Sequence, residues 1–256
     1  MSRPVFRIDP AVLSAAHEGE ALMLSGPEGH HARTVRRLSL GEELDLVDGQ
    51  GHRGTGEVTR LLADGLEVTL RGPVQAEHGS GLVLVQALAK GDRDLQAIEM
   101  ATELGVDAVI PWQAERSIVR WKPERAAKSH EKWRRIVEAA AKQCRRAVVP
   151  QVFDLQGTEQ LADRLGAGER MILLHESATT PLSEVLRPTG DADWDQATTT
   201  YVVVGPEGGI SEREVQRLRK AGARTARLGP DVLRSSTAGA AALAVIGALG
   251  GYWSAR

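Results

Sequence analysis

The pattern of apolar and polar positions divides the chain into two regions. Up to about residue 73, apolar residues lie in short alternating runs such as 56–61 and 66–70. This alternation is typical of strands that bury one face, and Asp64-Gly65 between the two runs predicts a hairpin turn. With one short helix predicted over residues 30–38, the first region is expected to form a small β-barrel.

The pattern changes after a linker predicted at residues 72–81. Leu82–Leu88 is a continuous apolar run, which predicts a parallel strand covered on both faces. Similar runs then alternate with amphipathic segments. The predicted strands are 108–110, 171–174, 201–204 and 226–228, and the predicted helices are 92–104, 124–146, 158–165, 212–221 and 236–249. Alternating β and α elements predict an α/β fold with a mainly parallel sheet, so two domains are expected, at 1–73 and 82–256.

The overall composition and net charge do not point to a function, but one stretch of the chain has an uneven charge. The chain has 256 residues, of which 42 % are hydrophobic and 26 % charged, and its net charge is −2. The charge is uneven, however, because Trp112–Ala147 contains eleven cationic and four acidic residues. This stretch is either a solvated helix face or a phosphate-binding surface.

Several classes of site lack support in the sequence. The single cysteine, Cys144, excludes an intrachain disulfide and a cysteine-based metal cluster, as expected in a reducing cytoplasm. His30-His31 has no second cluster at metal-ligand spacing, so no metal is expected. The N-terminus lacks a signal-peptide core, and residues 238–251 are too short and too rich in Ala and Gly to span a bilayer, so no membrane association is expected.

Residues 49–54 match the Gly-x-Gly-x-x-Gly pattern of nucleotide-binding loops. A nucleotide site of that kind needs a helix directly after the glycines, because the helix N-terminus receives the phosphates. A strand-like segment follows instead, so a hairpin loop is predicted.

Two glycine-bearing segments near the C-terminus carry the strongest indication of a site. Gly205–Gly209 follows one predicted strand, and Gly229–Gly239 follows another. Ligands bind in open α/β sheets where such loops leave the carboxyl ends of strands, and glycine allows the main chain to approach a ligand closely. We therefore expect a pocket whose walls are largely backbone.

Polar residues beside these segments are further candidates. His175-Glu176 follows the predicted strand 171–174 directly and is either part of the site or an ordinary loop. Arg234 lies between apolar Leu233 and Ser235-Ser236, which is predicted to cap the last helix, and a site role is favoured for this arginine.

Taken together in this order and spacing, several segments resemble the RsmE family of the SPOUT superfamily of methyltransferases. The segments are His30–Arg33, Lys90–Arg93, Thr102–Val106, Glu115–Ser117, Glu138–Arg146, Gly205–Gly209 and Leu228–Arg234. Members of this family transfer a methyl group from S-adenosylmethionine to N3 of a uridine in 16S ribosomal RNA. The resemblance covers nearly the whole chain and implies the same activity here.

The resemblance also implies a fold and an assembly. It implies a small PUA-like β-barrel that binds RNA, followed by a SPOUT domain with a C-terminal trefoil knot. It further implies a homodimer that acts on 16S rRNA within the small ribosomal subunit or its precursor.

Site residues follow from the matching positions and from the distribution of cations. The implied cofactor contacts are Leu174, His175, Gly205, Glu207, Gly209, Leu228, Leu233 and Arg234. Arg234 is also the predicted catalytic residue, as a cation that stabilises the developing uridylate. The predicted RNA contacts are Arg3, Arg7, His30, His31, Arg33, Arg36, Arg116 and Arg146.

Two alternatives stay open, and one departure from the family pattern supports the second of them. The family often has Thr-Glu-Thr where this chain has Ser235-Ser236-Thr237, and a serine cannot act as a carboxylate base. The alternatives are methylation of another RNA position, such as a ribose 2′-hydroxyl, and a non-catalytic RNA-binding assembly factor.

Overall fold

The chain forms two compact units in the computed structural model, which describes residues 3–250 and residue 253, without the side chains of residues 192 and 193. One unit runs to Gly79 and also includes Ala141–Val149. The other comprises Ser80–Ala140 and the chain from Pro150 onward. The predicted domain ranges, 1–73 and 82–256, stay a prediction, and nothing in the sequence pattern had separated 141–149 from its neighbours.

The first unit is built on a six-stranded, mostly antiparallel sheet. Its strands are β1 (Val5–Arg7), β2 (Ala21–Ser25), β3 (Glu43–Val47), β4 (His52–Leu62), β5 (Gly65–Leu70) and β6 (Gln75–Ala76). They follow the order β1-β3-β4-β5-β2, with β6 paired to β4. Inward-facing side chains such as Leu46, Leu66 and Val68 are fully buried, as the alternating pattern predicts.

Short helices complete the first unit. They are α1 (Pro10–Ala15), α2 (Gly26–His30) and a π-helical segment, His31–Val35, that continues α2. The predicted helix over 30–38 is therefore real but starts four residues earlier and ends sooner. Residues 49–51 of the glycine-rich segment lie between antiparallel strands β3 and β4, and residues 52–54 belong to β4. No helix follows the glycines, which confirms the predicted hairpin loop.

The second unit contains a six-stranded parallel sheet. Its strands are β7 (Leu82–Ala87), β8 (Ala108–Trp112), β9 (Gln151–Val152), β10 (Glu169–Leu174), β11 (Thr199–Val204) and β12 (Arg224–Ala226). Every residue of β7 and β8 is buried, because both faces of these strands are covered. The sheet confirms the predicted α/β class; the last strand lies two residues before its predicted place at 226–228.

Helices cover the parallel sheet. They are α3 (Arg93–Glu103), α4 (Pro123–Gln143), α5 (Thr158–Ala162), α6 (Leu182–Val185), α7 (Ala192–Asp195), α8 (Glu212–Lys220) and α9 (Ser235–Leu249). The predicted helices 124–146 and 158–165 are each three residues too long at their C-terminal ends. None of the helices in the described part of the chain has the length and apolar composition needed to span a membrane.

The strand order positions the site. The sheet runs β12-β10-β11-β7-β8-β9, so β12, β10 and β11 are neighbours. Because all three are parallel, their carboxyl ends, at Ala226, Leu174 and Val204, lie at one edge of the sheet. The loops after these three strands therefore emerge together.

Helix α9 begins at this edge and packs on the sheet through a glycine. A Cβ atom at Gly239 would lie 2.9 Å from Cδ1 of Leu84 and 3.4 Å from Cγ2 of Val204. The absence of a side chain thus brings α9 close to β7 and β11. The trefoil knot implied by the family resemblance stays a prediction.

Candidate cofactor pocket

A cavity of about 610 Å³ lies at the edge of the sheet where β10, β11 and β12 end. Three loops supply most of its wall, together with side chains from α3 and the loop after β8. The lining residues are 174–177, 204–210, 226–235, Arg93, Arg116, Glu212 and Ala238. Cavities of this volume hold small-molecule cofactors.

The structure gathers all eight predicted cofactor contacts around this one cavity. They are Leu174, His175, Gly205, Glu207, Gly209, Leu228, Leu233 and Arg234. Up to 60 residues separate these positions along the chain, and the parallel strand order brings them together. Their roles in binding stay predictions.

Glycines allow the loop after β11 to adopt its path. A Cβ atom at Gly205 would lie 2.6 Å from Cγ1 of Ile210, and one at Gly208 would lie 3.1 Å from the carbonyl oxygen of Arg116. Gly209 has φ of +72°, a left-handed conformation that other residues rarely adopt. These three glycines thus determine the path of the loop along the cavity.

The carboxylate of Glu207 is held by a segment to which the sequence assigned no role. Its Oε1 accepts hydrogen bonds from the Lys90 backbone N–H and from Nη1 of Arg93, each at 3.1 Å. Arg93 also lines the cavity. The family-like segment 90–93 was a signal for this contact, but the partner, over 100 residues away, was not readable from it.

The geometry around His175 specifies which ring nitrogen carries the proton. The backbone N–H of Ser177 donates to Nδ1 of His175 at 3.3 Å, and the Ser177 hydroxyl lies 2.8 Å from the same nitrogen. A backbone N–H can only donate, so Nδ1 is the acceptor and the neutral ring carries its proton on Nε2. His175 is thus a hydrogen-bond donor through Nε2.

The loop between β8 and α4 forms another part of the wall. Nη1 of Arg116 donates to the Gly208 carbonyl at 3.3 Å, which places this predicted RNA contact at the cavity rim. Next to it, the Glu115 carboxylate accepts from the Ser211 hydroxyl at 2.7 Å and from Nε of Arg213 at 2.6 Å. The Ser211 hydroxyl, followed by Arg213, lowers the pKa of Glu115 below its ordinary value.

At the start of α9 the structure corrects one prediction. The residue before the helix is Arg234, without a side-chain cap, and the helix begins at Ser235, so Ser236 does not cap it. The Arg234 carbonyl accepts from the N–H groups of Thr237 and Ala238. Its exposed guanidinium has no carboxylate within ion-pair distance among the residues described.

Seven of the predicted RNA contacts lie in the first unit, six of them before Gly79 and one, Arg146, in its Ala141–Val149 segment. His30, Arg33 and Arg36 are exposed on or just after α2 and its π-helical continuation. His31 is half-buried against Phe6, with ring centroids 5.7 Å apart. Arg3 and Arg7 belong to the same unit. Arg3 forms an ion pair with Glu43 at 2.7 Å, and Arg7 is the last residue of β1.

Arg146 does not fit the predicted role. Its exposure is only 8 %, so little of the side chain is available to RNA. The position at the end of a strongly cationic stretch suggested an exposed residue, whereas the structure buries it.

Family models match both regions of the chain. An RNA methyltransferase domain matches residues 77–247, and an RNA methyltransferase PUA domain matches residues 24–70. The first of these matches covers the parallel sheet and the cavity, and the second covers β3, β4 and β5.

Sequence similarity to individual proteins covers nearly the full length of this chain. The ribosomal RNA small subunit methyltransferase E of Mycobacterium bovis is 40 % identical over 242 residues, which are 93 % of this chain and 90 % of that protein. The protein of the same name from Bacillus subtilis is 30 % identical over 237 residues, 90 % of each chain.

Solved structures of similar proteins include the cofactor. The crystal structure of a ribosomal RNA small subunit methyltransferase E from Neisseria gonorrhoeae bound to S-adenosyl methionine has a TM-score of 0.79 at 28 % identity, covering 97 % of this chain and 98 % of that one. A putative methyltransferase from Legionella pneumophila, in complex with the same cofactor, has a TM-score of 0.75 at 26 % identity, with coverage of 97 % and 98 %. The matched domains, the identity and the shared fold show that this chain belongs to the ribosomal RNA small subunit methyltransferase E family, the RsmE family of S-adenosylmethionine-dependent rRNA methyltransferases.

Proposed function

We propose that this protein transfers a methyl group from S-adenosylmethionine to N3 of a specific uridine in the 16S rRNA of the small ribosomal subunit or its precursor. The observation that carries the proposal is the cavity at the ends of β10, β11 and β12, around which all eight predicted cofactor positions lie. Relatives with the same fold bind S-adenosylmethionine.

The residues around the cavity fit this cofactor. S-adenosylmethionine carries a nucleoside, a carboxylate and positive charges on its amine and sulfonium groups. The backbone-walled loops suit the flat nucleoside, and the cavity is lined by charges of both signs. The cations are Arg93, Arg116, Arg227 and Arg234, and the acids are Glu176, Glu207, Glu212 and Asp231.

When bound, the cofactor supplies an activated methyl group with its own leaving group. The protein must therefore hold the acceptor nitrogen in line with the methyl carbon, which is largely an effect of proximity and orientation. The glycines of the wall suit this task because, without side chains, they let the backbone approach the cofactor closely.

The acceptor nitrogen carries a proton at neutral pH, and negative charge develops on the uracil ring as that proton leaves. The guanidinium of Arg234, at the cavity and without a carboxylate partner among the described residues, stabilises this charge at O2 or O4. His175 is not the proton acceptor in the arrangement described, because its Nδ1 already accepts from Ser177. Its Nε2–H instead donates to an acceptor within the cavity.

The proposal includes that the protein is a homodimer and lies in the cytoplasm. Val232 and Leu233 are apolar residues at the cavity yet are 75 % and 39 % exposed. A second copy that covers them would remove apolar surface from water beside the cofactor site. Measurement of the molecular mass in solution tests whether the protein is a dimer.

The function is tested by binding and then by product analysis. We expect calorimetry to detect binding of S-adenosylmethionine and tritiated methyl transfer to occur on small subunits that lack the modification. Nucleoside digestion should then yield N3-methyluridine. A 2′-O-methylated nucleoside would favour the ribose alternative, and absence of cofactor binding would favour the non-catalytic factor.

A pair of variants locates the cofactor. Gly209→Trp fills the cavity and should abolish cofactor binding. Gly222→Trp is the matched control, since Gly222 is exposed at the end of α8 and also has positive φ, +108°. Equal loss of binding in both variants would show that backbone strain, rather than occupation of the cavity, is responsible.

A further inference from the structure

Four exposed cations follow Arg116 of the cavity rim along the chain, up to the second turn of α4. Arg120 and Lys122 precede the helix, and Arg125 and Lys128 lie in its first two turns. All four are exposed, and no carboxylate lies within ion-pair distance of any of them among the residues that the structure describes. We name these four residues the α4 cationic group.

Later cations of the same helix differ in this respect. Nζ of Lys132 lies 3.0 Å from Asp92, and Nε of Arg135 lies 3.0 Å from Glu131. The cations that lack an acidic partner are therefore concentrated at the end of α4 that follows the cavity loop. Lys122, Arg125 and Lys128 recur every three residues, so the last two lie on one helix face and repel each other.

The segment that carries this group is anchored rather than loose. Trp121 packs edge-on against the buried ring of Trp133, with centroids 5.7 Å apart. Nε2 of Gln113 donates to the Val119 carbonyl at 3.1 Å, which holds the preceding loop. The backbone that carries the cations is thus fixed to the parallel-sheet unit.

The same segment begins at the cavity. Arg116, whose guanidinium bonds to the Gly208 carbonyl, lines the cavity only four residues before Arg120. An RNA strand with one nucleotide in the cavity must continue along the surrounding surface, and its phosphates are attracted to exposed, unpaired cations. The α4 cationic group is such a surface.

We infer that the α4 cationic group binds phosphates of the rRNA that flanks the methylated uridine, as a contact surface on the methyltransferase unit separate from the predicted contacts on the first unit. The inference rests on the proposed function for the identity of the RNA. The contacts are to the phosphate backbone, so they orient the strand without reading its sequence.

The test removes two charges from the group and two from elsewhere on the same unit. The variant is Arg125→Gln/Lys128→Gln, and the matched control is Arg187→Gln/Arg219→Gln, two exposed cations of the same unit without an ion pair among the described residues. Each phosphate contact to a single strand contributes about 0.7 to the slope of log affinity against log salt, or about 4-fold in affinity at ~0.15 M salt. We expect KM for small subunits to rise on the order of 14-fold and the salt slope to fall by about 1.4. kcat and the cofactor Kd should stay unchanged, and the control should match the unmodified protein.

A second readout, filter binding to protein-free 16S rRNA, separates the possible partners. The same loss on free rRNA and on subunits would support phosphate contact. An unchanged variant, or an equal loss in the control, would overturn the inference. Loss on subunits with unchanged binding to free rRNA would also overturn it and would indicate an acidic ribosomal protein. If the unmodified protein binds rRNA through this group but transfers no methyl group, the proposed function fails and the inference stands.

Discussion

Glu214 in α8 is a buried carboxylate whose replacement should loosen two loops at once. Its exposure is 1 %, and no cation lies within ion-pair distance among the described residues. Oε1 accepts from the Glu115 backbone N–H at 2.9 Å and from the Thr158 hydroxyl at 2.8 Å, and Oε2 accepts from the Ser211 N–H at 3.1 Å. One side chain thus joins the helix cap, the cavity loop and the start of α5.

The substitution Glu214→Gln keeps the shape and removes the charge. An amide has one oxygen, so its NH₂ group must replace an acceptor. The best placement directs the NH₂ group at Ser211 and leaves that buried N–H without an acceptor, at a cost of about 1–3 kcal/mol. The two remaining hydrogen bonds change from charged to neutral acceptors, which weakens each by about 1 kcal/mol. We therefore expect a loss of about 3–5 kcal/mol in the free energy of unfolding.

The assay combines thermal unfolding with residue-specific amide exchange. The backbone amides of Glu115 and Ser211 should exchange faster in Glu214→Gln than global destabilisation alone explains. Glu99→Gln is the control, because Glu99 is exposed on α3 without an ion pair among the described residues. A stability within about 0.5 kcal/mol of the unmodified protein, as for ordinary surface changes, would refute the account of Glu214 as a shared acceptor.

Two further predictions concern backbone conformation and pH. Gly81→Ala should destabilise the protein by roughly 3–5 kcal/mol in calorimetry, because its Cβ would overlap the Thr198 carbonyl oxygen at a φ of +70°. Gly91→Ala has positive φ but open space, so a loss of only about 1–2 kcal/mol is expected; equal losses would contradict the steric explanation. Ser211→Ala should raise the pKa of Glu115 toward its ordinary value of 4.5, as measured by NMR titration. Because that pKa is lowered in the fold, the associated stability is present above pH 4.5 and lost as the pH falls through the lowered pKa, so the deficit of the variant should shrink in acid. A deficit independent of pH would show that only the helix cap had been lost.

The sequence predicted correctly the helices and strands whose formation depends on residues close together along the chain. The predicted helix 212–221 starts at the same residue as α8, where Ser211 and Glu214 have the spacing of a capping box and both hydrogen bonds of the box are present. The continuous apolar runs predicted β7 and β11 because strands covered on both faces need apolar residues at every position. The glycine-bearing loops, His175 and Arg234 were identified as site candidates from their positions after predicted strands, whereas Leu174 and Leu228 were assigned only through the family resemblance.

The errors arose where a distant contact decides the local outcome. The last strand occupies 224–226 rather than 226–228 because its register is set by pairing with β10, not by its own apolar residues. Arg146 is buried although it ends a cationic stretch. Arg93 had no readable role, because its partner Glu207 is 114 residues away.

By itself, the sequence determined the class of each domain, the order of most elements and the family. Hydrophobic periodicity, turn residues and helix caps act over a few residues, so they are legible in the linear chain. Only the tertiary structure decided which loops meet, which cations stay unpaired and which carboxylates are shared. Those properties depend on strand order and on packing between residues far apart in the chain, where no local rule relates one residue to its partner.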